Sequence, residues 1–426
     1  AADSETERPT LIIGRTVMAK GAMAADGTSF EDKVSTHGQP LSAAGADLAA
    51  TVKNLGGNPD DPFAVFDESR EVFAERREQL REWAARQAAV EKSWRSEHKD
   101  LARKLDDYFS GKLPEIDYKT IEVKPDVATR AASAAVLGVY AEKVGNMIVS
   151  SADLSNSDKT DGFLKKTRPI VKGDFTGQFL QAGVSELTMA CVMNGMALHG
   201  GVIPACGTFF VFSDYMKPAV RLSALMRLHV IYVWSHDSFR VGEDGPTHQP
   251  VEQEMQIRLM EHLKNHRGER SMVVLRPADG DEAVMAWKLA LEEQRPVALV
   301  LSRQNIRSLK AMGSTSRREE AVQAAKGGYV VMDAAKPAAI LIASGSEVST
   351  LVEGAEQLAA EGIAVRVVSV PSEGLFRDQP RSYQESVLPA GVPRYGLTSG
   401  LPVTLRGLVG ENGTIHGLDH FGYSAP

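Results

Sequence analysis

The sequence predicts an α/β protein built mainly from two successive parallel-sheet domains, and three observations carry that expectation. Between residues 126 and 315 short apolar runs alternate with helical patterns. A second alternation of the same kind begins near 328. Each run ends in polar residues where a helical pattern takes over, which is how a parallel sheet offers ligand groups at the carboxyl ends of its strands.

In chain order, "TLIIGRTVM" (10–18) reads as a buried strand, and "GAMAADGTSFEDKVSTHGQPLS" (21–42) as a Gly-rich polar loop. Asp67 to Phe109 is charged and helical, with Trp83, Trp94 and Leu101 on an intermittent apolar face. "SGKLPEIDYKTIEVKPDV" (110–127) is a linker by its prolines and polarity, which puts a boundary near 125. The first alternation then supplies strands in "NMIVSSADL", "VIPACGTFFVF", "HVIYVWSH", "SMVVLRPAD" and "PVALVLSRQN". The second supplies "GYVVMDA", "AAILIASGSE" and "AVRVVSVPSE", and finishes at "HFGYSAP" without a closing helical pattern. The expected segments are therefore 1–66, 67–125, 126–315 and 328–426.

Composition narrows the function classes. The 426 residues are 43% hydrophobic and 24% charged, as in ordinary globular proteins. The net charge of −7 comes without long like-charge blocks, so the footprint of a nucleic-acid binder is missing. No apolar run reaches the roughly 18 residues of a membrane span, and the first residues lack the charge-then-apolar order of a signal peptide. Cys191 and Cys206 stand alone in apolar surroundings, which fits a reducing cytoplasm better than a disulfide scaffold or a zinc site.

Three stretches concentrate chemistry. In "GVSELTMACVMNGMALHGG" (183–201), Glu186 reads from spacing alone as a carboxylate favoured at a helix start. Phe209, Phe212 and Tyr215 recur every third residue; such aromatics share a helix face and usually pack a core, although a platform for a cofactor ring would have the same pattern. "SHDSFRVGEDGPTHQP" (235–250) crowds titratable groups into a loop. A metal reading fails there, because His236 and His248 are twelve apart with no HExxH or CxxC partner. His262 and His266, four apart, read as the solvated face of a helix. No nucleophile elbow, Walker loop or GxGxxG is present.

Six motifs, taken together and in order, give the chain a resemblance to the transketolase family: "THGQPL" (36–41), "SADL" (151–154), "GVSELTM" (183–189), "TFFVFSDY" (208–215), "GEDGPTHQP" (242–250) and "SRQN" (302–305). The resemblance covers almost the whole chain. It implies a pyrimidine-binding domain and a C-terminal domain, both with parallel sheets, preceded by the tail of a third, pyrophosphate-binding α/β domain. It also implies thiamine diphosphate as cofactor and transfer of a two-carbon ketol unit from a ketose phosphate to an aldose phosphate. Glu186 matches the glutamate that hydrogen-bonds the aminopyrimidine ring, and Phe209, Phe212 and Tyr215 match the pocket around that ring. Asp153 matches a cofactor-proximal acid, and His37 a histidine near the pyrophosphate and the reacting carbons, suited to proton relay. His248 matches the histidine on the ketose oxygen, His236 one that binds the acceptor phosphate, and Asp244 an acid that reads a substrate hydroxyl. Arg130, Ser157 and Arg303 match the remaining phosphate contacts, a task the planar guanidinium fork suits.

The chain also departs from the family pattern. It has no GDG motif with a following Asn, so the ligands of the expected Mg2+ lie outside it, and "PRYGLTSG" (393–400) replaces a usual acidic stretch. The sequence reads as a fragment or trimmed product, weak in cofactor binding and turnover by itself. The expected assembly is a homodimer with the active site between subunits, a separate chain carrying the missing half being the alternative. Rival readings are another thiamine enzyme, such as deoxyxylulose-phosphate or dihydroxyacetone synthase, and a non-catalytic binding subunit. The paired His236 and His248 with Arg303 favour a transketolase.

Overall fold

A computed structural model describes residues 2–424. The chain divides into two compact units, the first ending at Lys99 and the second beginning at Asp100.

In the first unit, two short helices, Leu41–Ala44 and Leu48–Asn54, precede the long helix Asp67–Glu97. Asp47 caps the second of them, its carboxylate accepting from the Ala50 amide at 2.6 Å. The strand expected at 10–18 does not form. Leu11, Ile12 and Ile13 have no regular secondary structure, are 83, 78 and 81% exposed and pair with no described strand, because an apolar run becomes a strand only when a neighbouring edge takes its amides and carbonyls. The helix expected to run on to Phe109 breaks at His98, which leaves helical backbone (φ −122°, ψ 57°) and lays its ring against Trp94 at 5.8 Å. A separate helix, Lys99–Phe109, follows.

The second unit holds two sheets. The first contains β1 (Met147–Ser151), β2 (Phe179–Gln181), β3 (Ile203–Phe209), β4 (Ile231–Ser235), β5 (Val273–Leu275) and β6 (Val297–Leu301), in the spatial order β2-β1-β3-β4-β6-β5 and wholly parallel. Its strands read as continuous apolar runs because both faces are covered. Ile231 and Val233 of β4 enter one core with Val149, Leu299 and Trp287, while Tyr232 and Trp234 enter the other with Met189, Met216 and Val300. The helix Glu186–His199 lies on the second face, burying Glu186, Met189, Ala190, Met193 and Asn194 at helical spacing.

The second sheet contains β7 (Tyr329–Met332), β8 (Ala339–Ala343), β9 (Val365–Ser369), β10 (Arg394–Leu397) and β11 (Thr414–His416), ordered β11-β10-β8-β9-β7. Four of its strands are parallel, and β7 runs antiparallel to β9. An edge strand forms only one ladder, so its direction is free. "PRYGLTSG" supplies β10, between β8 and β11. His262 ends the helix Gln253–His262, whereas His266 lies beyond it in a turn, so the two do not share a helix face. Cys206 is buried in β3, but Cys191 is exposed, against the apolar setting read from its neighbours. Among the described residues no helix is long and apolar enough to cross a membrane.

Candidate functional site

Four adjacent strands of the first sheet end at one rim. Asp153 follows β1, Phe209 ends β3, His236 follows β4 and Arg303 follows β6, in the order in which the strands lie side by side. The carboxyl edge of a parallel sheet is where such folds place ligands.

At the β3 end the three aromatics leave the helix-face pattern that their spacing suggested. Phe209 belongs to the strand, Phe212 to a single tight turn and Tyr215 to the following helix Ser213–Met226. Their rings nevertheless form a ladder: Phe209 and Phe212 stack at 5.8 Å and 9°, and Phe212 meets Tyr215 at 5.8 Å. The ladder runs from buried Phe209 to Tyr215, which is 61% exposed. Glu186 opens its helix beside this end of β3, 8% exposed, where the Thr208 hydroxyl donates to its Oε1 at 3.5 Å. A buried carboxyl and flat apolar rings at the end of one strand are groups that a planar nitrogen heterocycle can use.

Two histidines join the ladder. His236 lies 3.8 Å from Phe209 ring to ring, and His248 stands edge-on to Phe212 at 5.3 Å and to Phe209 at 6.2 Å. The Arg130 Nη1 group lies 3.5 Å from His236 Nε2. A guanidinium has no lone pair to offer, so Nε2 accepts there and Nδ1 carries the proton toward Ser235 Oγ, 2.9 Å away. Burial first, then Arg130, Arg303 and His248, push the His236 pKa down to about 3. His236 is therefore expected to stay neutral throughout a proton NMR titration run from neutral pH to pH 4. An unfolded histidine titrates near 6.5, so the folded chain binds fewer protons between 6.5 and about 3 and loses stability as the pH falls through that window. Histidine ring shifts that follow an ordinary titration at His236 would contradict this.

Arg130 sits at the start of the helix Thr129–Lys143 and donates from Nη1 to the Ser157 carbonyl at 2.6 Å. That helix start is fixed to the end of β6: the Thr129 amide donates to Ser302 Oγ at 2.9 Å and the Ser302 amide to Thr129 Oγ1 at 2.8 Å. Arg303 follows directly. Burial, and secondly the charge of Arg303, lower the Arg130 pKa. The mutual repulsion of two guanidiniums is relieved when an anion lies between them.

The loop 235–250 is held from within and from outside. Thr247 Oγ1 donates to the Asp244 carbonyl at 3.3 Å and lies 2.8 Å from His248 Nδ1. Gln249 Nε2 donates to the Tyr423 carbonyl and Ser424 Oγ to that of Glu243. Direct contacts thus bring Arg130, Ser157, His236, His248, Phe209, Phe212 and Tyr215 together. Glu186, Arg303 and exposed Asp153 share their rim, and Asp244 is exposed on the loop that carries His248. His37 belongs to the first unit, exposed at the end of the turn Val34–Thr36. Among the described residues no group of three or more His, Cys, Asp or Glu could hold a metal ion.

The sequence reading missed Thr208, Ser235 and the fully buried Asp158, as well as Asp237 and Arg276 behind His236. Nothing in the polar turn after "SADL" signalled that the Asp158 carboxylate is buried. A cavity of about 330 Å³, lined by Leu309, Lys310, Met312 and Val331 among others, shares no residue with this rim.

Family models place these features in a class. Residues 1–114 match the thiamine diphosphate binding domain of transketolase, 125–308 its pyrimidine binding domain and 327–426 the transketolase-like C-terminal domain. The matched domains are those of a thiamine diphosphate-binding protein. Among its relatives, the transketolase of Halalkalibacterium halodurans is 40% identical over 431 residues, covering 99% of this chain and 61% of the relative. That of Geobacillus stearothermophilus is 40% identical over 440 residues, covering 100% and 62%. The solved transketolase from Leishmania mexicana superposes with a TM-score of 0.85 at 31% identity, covering 100% of this chain and 60% of that one. The chain belongs to the transketolase family, and it spans about three-fifths of the length of the curated relatives it matches.

Proposed function

We propose that this protein carries out ketol transfer: a two-carbon unit passes from a ketose phosphate such as xylulose 5-phosphate to an aldose phosphate such as ribose 5-phosphate, a reaction of the pentose phosphate pathway. The observation that carries the reading is the single rim on which a carboxyl-and-aromatic pocket adjoins a pair of guanidiniums. The first fits the aminopyrimidine ring of thiamine diphosphate, and the second fits a substrate phosphate. When bound, the cofactor supplies a carbanion that can accept and release the ketol carbon.

This chain's own residues have separable tasks. Glu186 shares a proton with the pyrimidine nitrogen, while Phe209, Phe212 and Tyr215 hold the ring and exclude water. Asp153 would lie close to the cofactor. His248 holds or takes a proton at the ketose oxygen as the carbon–carbon bond breaks. Arg130, Arg303, Ser157 and neutral His236 bind phosphate, and Asp244 reads a substrate hydroxyl. His37 relays protons at substrate hydroxyls, a role that rests on its motif alone. Mg2+ would accompany the diphosphate, held by residues other than those described. Exposed Val184, Leu187 and Tyr215 around the pocket support burial against a second copy, hence a homodimer with the site between subunits. Two free cysteines support a cytoplasmic setting.

Incubating the complete protein with thiamine diphosphate, Mg2+, xylulose 5-phosphate and ribose 5-phosphate tests the proposal. The products expected from carbon balance are a seven-carbon ketose phosphate and a three-carbon aldose phosphate; their absence would refute it. In that assay Arg303→Ala should raise KM for ribose 5-phosphate about tenfold, and raise that for unphosphorylated glycolaldehyde far less. Equal effects on both acceptors would remove the phosphate role of Arg303.

A further inference from the structure

Asp158 is fully buried one turn from the rim, and three donors converge on it. Ser151 Oγ donates to Oδ2 at 2.6 Å, and the Thr160 amide and hydroxyl donate to Oδ1 at 2.8 and 2.7 Å. The Ser151 hydroxyl in turn accepts from the Leu154 amide at 3.2 Å. Between these two residues lies Asp153, whose φ of 62° puts a residue with a Cβ in the left-handed region. Such backbone persists only where the surroundings over-determine it. The Leu154 carbonyl then accepts from both the Ser157 and Asp158 amides at 2.8 Å, and the Ser157 carbonyl holds Arg130. On the other side β3 makes room for the carboxylate: a Cβ on Gly207 would come within 2.7 Å of Asp158 Oδ2 and of Thr160 Cγ2.

We infer that Asp158 is a positioning residue which, through Ser151 and Thr160, fixes the turn 152–157 so that Ser157 and Arg130 are set together for a substrate phosphate while Asp153 is held in its left-handed backbone conformation. The inference rests on the functional reading above only for the identity of that phosphate. The hydrogen-bonded chain itself is a property of the fold.

A carboxylate in this position has a consequence that an amide would lack. Burial raises the Asp158 pKa to about 6, against the lowering effect of its three hydrogen bonds, and the charge of Asp161 raises it further. Cys206 of β3 is pushed well up by burial and by Asp158, His236 after β4 is pushed down to about 3, and Arg130 remains cationic. Asp161 pairs with Lys165 at 2.6 Å. Protonation of Asp158 reverses or removes one of its three hydrogen bonds, so the turn should loosen as the pH falls below about 6.

The test uses the complete protein and the variants Asp158→Ala, Asp158→Asn and Ser151→Ala. Amide hydrogen exchange at Leu154 is the readout independent of turnover. It should speed up about tenfold or more in Asp158→Ala and in Ser151→Ala, with the Val149 amide of β1 little affected. Unaltered exchange at Leu154 would overturn the inference whether or not the protein transfers ketol units. In the transfer assay Asp158→Ala should raise KM for ribose 5-phosphate by about tenfold, and for glycolaldehyde by much less. Asp158→Asn should restore most of that loss near pH 7.5, and its KM relative to wild type should fall as the pH is lowered to 5.5, since titration of the substrate phosphate cancels in the ratio. A ratio independent of pH, or equal KM changes for both acceptors, would also overturn the inference. Absence of transfer by the unsubstituted protein would instead refute the functional reading and leave the exchange experiment to decide this one.

Discussion

Replacing Glu186 by alanine in the complete protein is expected to lower kcat for transfer from xylulose 5-phosphate about 10³-fold or more, while thermal unfolding shifts little. The two halves of this expectation have different causes. As the first residue of its helix, Glu186 gains about 0.3–1 kcal/mol from the helix dipole, and truncation gives that up. The same truncation removes the cost of keeping a carboxyl group buried, so the effects on stability oppose one another. Catalysis has no such offset. Among the described residues the carboxyl receives one hydrogen bond, from Thr208, and at 3.5 Å it is long, which leaves the carboxyl available to a ring nitrogen. Glu186→Gln separates hydrogen bonding from proton sharing, because the amide keeps the shape but cannot exchange a proton. It should bind cofactor better than the alanine variant and yet remain slow. Near-normal turnover in either variant would remove Glu186 from the proposed chemistry.

How much of this was legible in the sequence depends on the kind of signal. The strands of the first sheet were readable because both faces are buried, so β4 and β6 appear as unbroken apolar runs. β2 and β11 were not, each being three residues long at a sheet edge. "TLIIGRTVM" misled for the converse reason: apolar composition states that a strand could form, while forming one requires a partner edge. At the candidate site the aromatic spacing predicted proximity correctly but for the wrong geometry. The three rings meet across a strand, a turn and a helix rather than along one helix face. Groups held by distant chain segments left no local trace. Asp237 and Arg276 are 39 residues apart, and nothing in either stretch announces that they are paired.

That pair carries the largest expected effect on stability. Arg276, directly after β5, is fully buried. Its Nη2 donates to Asp237 Oδ2 at 2.8 Å and to Ser399 Oγ at 3.0 Å, and its Nη1 to the Ser344 carbonyl at 2.8 Å. The same Nη1 lies 3.3 Å from Glu254 and 2.6 Å from Glu347. Asp237 and Glu254 come from the first-sheet domain, Ser344, Glu347 and Ser399 from the second, so one guanidinium ties the two together. The contact is close enough that a Cβ on Gly345, whose φ is +67°, would meet the Arg276 side chain at 2.6 Å. Arg276→Met retains the bulk and removes the charge, leaving buried Asp237 and Glu347 without their cation while Glu254 keeps Arg258 at 3.3 Å; breaking a buried pair in this way costs about 3–5 kcal/mol. Urea unfolding of the complete protein should show a loss of that order near pH 7.5. Burial already outweighs Arg276 and holds the Glu347 pKa above the usual carboxylate range. Without the cation the Glu347 carboxyl rises further in the folded state, which then binds more protons than the unfolded chain between the unfolded pKa and the raised folded one. Stability of the variant therefore falls as the pH rises through that window, and the loss relative to wild type should be smaller at pH 5 than at pH 7.5. Glu347→Gln added to Arg276→Met should recover part of it near neutrality. A loss that is the same at both pH values and unrelieved by Glu347→Gln would mean that packing around the guanidinium, rather than the charge it neutralises, joins the two domains behind His236.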